Sequence, residues 1–134
     1  RFTAGSGASS NCVTDNLTGL TWLRNPAATL RNWSNSIAYC EGLTGSSGRG
    51  GFADWRLPNV REMQSLIDFE YRAPALPMGH PFIGAPATND CWTGTLAYNG
   101  GGEILFFAVS MDRGTTSVLA PSSLLCAWPV RGGF

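Results

Sequence analysis

Few side chains in this sequence could do chemistry, and their spacing limits them further. His80 is the only histidine among 134 residues and stands between Pro77 and Pro81. No Gly-x-Ser-x-Gly string or other nucleophile motif accompanies it, so a histidine-assisted hydrolytic dyad lacks its partner. His80 reads as a loop residue. One imidazole with scattered carboxylates falls short of a transition-metal site. Calcium, which takes about six to eight oxygen donors, finds no dense carboxylate string. No cofactor motif is present. Cys12, Cys40, Cys91 and Cys126 contain no Cys-x-x-Cys pair, which argues against a zinc knuckle or a thioredoxin-type redox motif. In a neutral chain rich in Gly and Ser they are expected to form two disulfides in an oxidising compartment, with three pairings open. Asp54 and Arg56 flank Trp55 and read as a partly buried pair, locked to backbone or to each other.

Composition narrows the classes of function. Only 13% of residues are charged and the formal net charge is zero. All nine basic residues are Arg, and the pI is near 6.8. A nucleic-acid binder would present a basic stripe or a pI above about 9. The longest apolar run, Ile104 to Val109, is too short to span a bilayer. The sequence starts within what reads as structure, so an upstream leader or domain is expected. A surface of low charge repels its own copies weakly, which favours association. The hydrophobic share of 43%, with five Trp, suffices for one core in a single domain over 1–134.

The elements that must position these groups are legible in part. Residues 1–10 read as a loose lead-in. Val13 to Leu23 should hold strand pieces around the turn Asn16-Leu17-Thr18-Gly19. Asn32 caps a predicted helix over 33–43, whose Trp33, Ile37, Cys40 and Leu43 recur at helical spacing. After a Gly/Ser loop at 44–51, Asn59 and Glu62 form a capping box for a second helix over 60–69, with Val60, Met63, Leu66 and Ile67 as its apolar stripe. Pro74, Pro77, Pro81 and Pro86 forbid regular structure over 73–88. Strands are predicted over 91–98, 103–109, 115–119 and 124–130, with turns at Asn99-Gly100-Gly101-Gly102 and Asp112-Arg113-Gly114. Two helices followed by an antiparallel meander is an α+β plan. If Phe106 points inward, Phe107 points out. Asn16-Leu17-Thr18 and Asn32-Trp33-Ser34 match the N-glycosylation triplet, and both overlap structural motifs.

Three segments carry a family resemblance. They are Val13-Thr14-Asp15-Asn16-Leu17-Thr18-Gly19-Leu20-Thr21-Trp22, then Phe52-Ala53-Asp54-Trp55-Arg56-Leu57-Pro58-Asn59-Val60-Arg61-Glu62-Met63, then Cys126-Ala127-Trp128-Pro129-Val130-Arg131-Gly132-Gly133. Together they resemble the Lcl C-terminal domain family, over nearly the whole chain. The resemblance implies a C-type lectin-like fold, with two helices packed on twisted antiparallel sheets. It assigns Trp22, Trp33, Asp54, Trp55, Arg56 and Pro58 to structural motifs. The C-type lectin-like pattern implies a disulfide from the first helix to the last strand, Cys40 with Cys126, leaving Cys12 with Cys91. It implies a ligand surface in the C-terminal half, where Trp92, Tyr98, Phe107 and Trp128 become candidates for a ligand or an interface. The Glu-Pro-Asn and Gln-Pro-Asp strings of calcium-dependent lectins are absent, and Thr88 precedes Asn89-Asp90 where those lectins carry Trp. The related formylglycine-generating enzymes need reactive cysteines, which cystines would exclude. The function expected from the resemblance is a non-catalytic, secreted or cell-surface module that binds a glycan or a surface protein. The alternative is a structural subunit of an extracellular fibre or homo-oligomer.

Overall fold

The computed structural model describes residues 1–26, 29–44 and 50–133. Two antiparallel sheets form the molecule, and its helices are small. The first sheet orders β1 (Phe2–Ala4), β2 (Cys12–Asp15), β3 (Leu20–Leu23) and β7 (Val130–Gly132) as β1-β2-β3-β7. The second orders β4 (Asp90–Tyr98), β5 (Ile104–Ser110) and β6 (Thr116–Leu119) as β4-β5-β6. Helix α1 spans Trp33–Glu41 and α2 spans Val60–Ser65.

This corrects the expected fold in two respects. The molecule is mostly sheet with two small helices, and not the expected α+β, C-type lectin-like fold of two helices packed on twisted antiparallel sheets. No disulfide staples it: Cys12, Cys40, Cys91 and Cys126 are all buried as thiols. The expected pairings fail on placement. Cys126 lies beside Cys91, across a parallel bridge between their segments, and not beside Cys40. Cys40 faces a cluster of Leu57, Trp92, Phe106, Ala108 and Ala127. The residues 44–51 of the predicted loop lie partly outside the described residues.

Both helix starts follow the sequence. The Asn32 side chain accepts from the Asn35 N–H at 2.8 Å. Asn59 and Glu62 close the capping box, with both bonds at 2.8 Å. The second helix stops at Ser65, with Leu66 as its C-cap, short of the predicted Phe69, because its continuation is bound elsewhere. The Asp68 N–H donates to the Ala75 carbonyl, and an Asx turn at Asp68 binds the Glu70 N–H. The next residues continue this sheet-like attachment, Ala73 N–H to Asp112 and Ala75 N–H to Met111. Phe69 is left exposed.

The lead-in is ordered: β1 pairs with β2 in the register Phe2 with Asp15, Thr3 with Thr14 and Ala4 with Val13. The last segment is less regular than a strand over 124–130, because it crosses between the sheets. Leu125 exchanges both backbone bonds with Arg31, Cys126 sits between Asp90 and Trp92, and Val130 exchanges both bonds with Arg56. It then enters the first sheet as β7 beside β3.

The second sheet is the middle layer. Trp92, Phe106 and Ala108 belong to a cluster covered by Trp33 and Ile37 of α1. Cys91 and Val109 point the other way, into the larger core with Val13, Trp22, Trp55, Met63, Trp128 and Val130. Sheet alternation therefore does not separate core from solvent here. Phe106 is 8% exposed, and Phe107, on the opposite face, is still half-buried.

Candidate functional site

The string around Trp55 carries paired charges. Arg56 forks onto Glu62, with both N–H···O bonds at 2.8 Å, and its second nitrogen also donates to the Gly132 carbonyl at 2.9 Å. Asp54 does not pair with Arg56. It receives a fork from Arg131 at 2.7 and 3.0 Å, and that guanidinium lies 3.6 Å over the Phe52 ring. At the other end of the first sheet, Arg1 forks onto Asp15 at 3.0 and 2.7 Å. The Asp15 carboxylate is fully buried and also accepts from the Thr18 hydroxyl and the Leu17 N–H. Planar guanidinium-to-carboxylate forks of this kind fix geometry as well as charge.

The electrostatic consequence bears on catalysis. Burial is the largest single influence and pushes the Asp15 and Glu62 carboxyls up, but the opposing influences together exceed it and hold both below the ordinary carboxylate range: hydrogen bonds from Arg1, Thr18 and Leu17 on Asp15, hydrogen bonds from Arg56 and Asn59 on Glu62, and the charge of each arginine. Asp54 is held low first by its bonds to Arg131. Carboxylates fixed as anions near neutral pH cannot donate a proton as general acids. Two of the thiols, Cys40 and Cys91, are shifted the other way. Burial raises Cys40 to about 12, and burial with the adjacent Cys126 raises Cys91 well above the ordinary thiol range. His80 is held low by burial, and its buried Nδ1 has no partner among the described residues.

Glu62 lines an open cleft of about 340 Å³ together with Thr18, Leu20, Asn59, Arg61, Ser65 and Gly133. Three distant parts of the sequence meet there. Its polar groups are mostly committed inside the scaffold: Glu62 to Arg56 and Asn59, Ser65 to the Glu62 carbonyl, and Thr18 to Asp15. Among the described residues no group of three His, Cys, Asp or Glu could hold a metal ion.

The four candidate aromatics do not converge. Trp92 and Trp128 are fully buried, with their indole N–H groups donating to the Arg31 and Leu23 carbonyls, each at 2.9 Å. Neither offers a face to a ligand. Tyr98 is exposed, and Phe107 lies on the opposite face of the same sheet, where it pairs with Val118. The remaining motif residues make contacts within the fold. Trp22 packs edge-on against Trp128, Trp33 stacks on Phe106 at 3.8 Å and donates to the Thr93 carbonyl, and Trp55 is buried. The Pro58 carbonyl accepts from the Gly94 N–H at 2.8 Å. Both glycosylation triplets have engaged asparagines: Asn16 donates to Arg1 and Thr3, and Asn32 caps α1.

What the structure assembles around Tyr98 is an apolar overhang. Cross-strand pairs on the α1 face run from buried to exposed: Trp92 with Ala108, Leu96 with Phe106, then Tyr98 with Ile104. The first pair is fully buried, whereas Leu96 is 43%, Tyr98 68% and Ile104 55% exposed. The register slips between Trp92 and Leu96, so β4 carries extra residues there, and the pairing then runs on to Tyr98 and Ile104 at the exposed end of the hairpin. Ile104 and Leu96 escape notice in the sequence because their exposure depends on what the tertiary fold packs over the sheet. Alternation around Tyr98 was the one signal pointing to them. At the tip, Asn99 donates to Glu103 at 2.6 Å and its carbonyl accepts from the Gly101 and Glu103 N–H groups, which holds the hairpin loop closed.

Residues 11–131 match the model of a family described as the Lcl C-terminal domain. No curated protein matches the chain.

Proposed function

We propose a non-catalytic binding role for this chain, which belongs to the Lcl C-terminal domain family. The overhang of Leu96, Tyr98 and Ile104 is its contact surface for a protein partner. The observation that carries this reading is the gradient of exposure along one sheet face. An apolar strip continuous with the core, uncharged and held by a closed hairpin, is the type of surface that partners cover. A glycan is the weaker fit, because sugar recognition needs polar groups converging beside the ring, and the nearby Asn99 and Glu103 are bonded to each other. The non-catalytic part is supported by carboxylates fixed by arginine and by thiols buried beyond reach. Location outside the cell or on its surface is part of this proposal. Its support is the resemblance to a family found in secreted and surface proteins, and the cysteines lend none.

A photo-crosslinking residue at position 98 of the natively produced chain tests the reading. One defined protein adduct from positions 98 and 104, and none from the equally exposed position 17, is expected. Adducts no more frequent at 98 than at 17 would remove the site. Zero net charge favours a second reading in which the covering partner is another copy, as in a fibre or homo-oligomer.

A further inference from the structure

We infer that β1 is an exchangeable strand, and that its slot on β2 accepts the Arg1–Ala4 segment of a second copy of this chain. The inference rests on the assembly reading and not on the overhang. β1 is an edge strand of three residues, paired on one side only. Beyond the β1–β2 ladder and the Asn16 bonds to the Arg1 carbonyl and the Thr3 hydroxyl, its hold on the body is made by two side chains. Arg1 forks onto the buried Asp15 and donates to the Ser65 carbonyl at 2.6 Å, while the Phe2 ring meets Phe82 edge-on at 5.3 Å. Without β1, the slot exposes a carboxylate from which the guanidinium has gone and an aromatic wall lacking its partner. Such a slot selects a strand beginning with a guanidinium followed by an aromatic ring. Arg1-Phe2 is the only Arg-aromatic pair in the sequence, so a second copy supplies the matching strand.

The connector permits the exchange. Gly5-Ser6-Gly7-Ala8-Ser9-Ser10-Asn11 has no fully buried residue. Fully extended, seven residues span about 23–25 Å, enough to reach a neighbouring body. In the closed form the connector folds back as a tight turn, with the Gly5 N–H on the Cys12 carbonyl and a 3-10 turn over Gly7–Ser9. A Cβ at position 5 would run into the Ser9 carbonyl, so the closed turn requires glycine there. Exchange preserves every β1 contact, and the balance between closed and exchanged forms rests on this connector and on concentration.

The test uses full-length chains. Thr3 and Thr14 face each other in the β1–β2 register and are both exposed, at a separation suited to a disulfide. A T3C chain and a T14C chain are co-expressed, purified at high concentration and oxidised. A disulfide joining position 3 of one chain to position 14 of the other is expected. Adding Gly5→Ala to the T3C chain should raise its yield several-fold. T3C paired with S34C supplies the background for random collision. The double variant T3C/T14C should close within one chain when dilute, which establishes that the geometry permits the bond. A closed double variant with no interchain 3–14 bond above background overturns the inference. If mass measurement then finds an oligomer, exchange alone has failed; if it finds only monomer, the assembly reading has failed with it.

Discussion

At the scale of single residues, charge is scarce and is spent on geometry. Among the described residues, four of the nine carboxylates, on Asp15, Asp54, Glu62 and Asp112, meet an arginine. Asp15 is the most demanding, because a buried carboxylate without its guanidinium is an uncompensated charge. Arg1→Ala should therefore cost on the order of 2–3 kcal/mol in chemical denaturation. The pH dependence follows from the lowered values of Asp15 and Glu62. A depressed folded pKa contributes stability that is present above the unfolded value, about 3.9 for Asp and 4.3 for Glu. That stability is lost as pH falls through the folded values. Stability should thus hold from pH 7 to about 5 on account of these groups and fall below about pH 4, with a shallower acid limb in Asp15→Asn. The thiols give a second outcome. The native chain should resist thiol-specific alkylation at pH 7, with Cys40 raised to about 12. Unfolding without reductant should release four reactive thiols, and two or fewer would contradict the all-thiol structure. The scarcity of charge pointed to Asp54 and Arg56 as paired groups, and each does meet an opposite charge. Their true partners, Arg131 and Glu62, were not legible, because Arg131 lies 77 residues from Asp54 and only the fold joins them.

At the scale of elements, local chemistry predicted starts better than stops. The capping residues Asn32 and Asn59 act within three residues of themselves, so the sequence displays them. Helix ends were set by tertiary bonds that sequence does not display, as where Ala75 captures the Asp68 N–H. Asn59→Ala removes one arm of the capping box and should cost about 1 kcal/mol, measured as a shift in the denaturation midpoint. Gly114 is more sensitive. It lies at φ +78° in the β5–β6 turn, and a Cβ there would strike the Ile67 side chain. Gly114→Ala should exceed the Asn59→Ala loss, since it adds backbone strain to a clash with the end of α2. The disulfide expectation failed at this scale too. Periodicity placed Cys40 correctly on the inner face of α1, but the segment carrying Cys126 runs along β4 and brings Cys91 beside it.

At the scale of the molecule, two sheets share one main core, and the second sheet lies between that core and α1. The meander of β4, β5 and β6 was legible, because strand alternation and Gly turns are local. The layering was not. It determines why Trp92 and Trp128 are buried on opposite sides of the second sheet while Tyr98 is exposed at the end of the face that carries Trp92. The account's central claim is that this free end is a binding surface, and the crosslink from position 98 tests it most directly. The prediction is one recurrent protein adduct at positions 98 and 104, lost when Leu96→Ser and Ile104→Ser are introduced into a chain that remains folded. Adducts at 98 no more frequent than at the exposed control position 17 would contradict it.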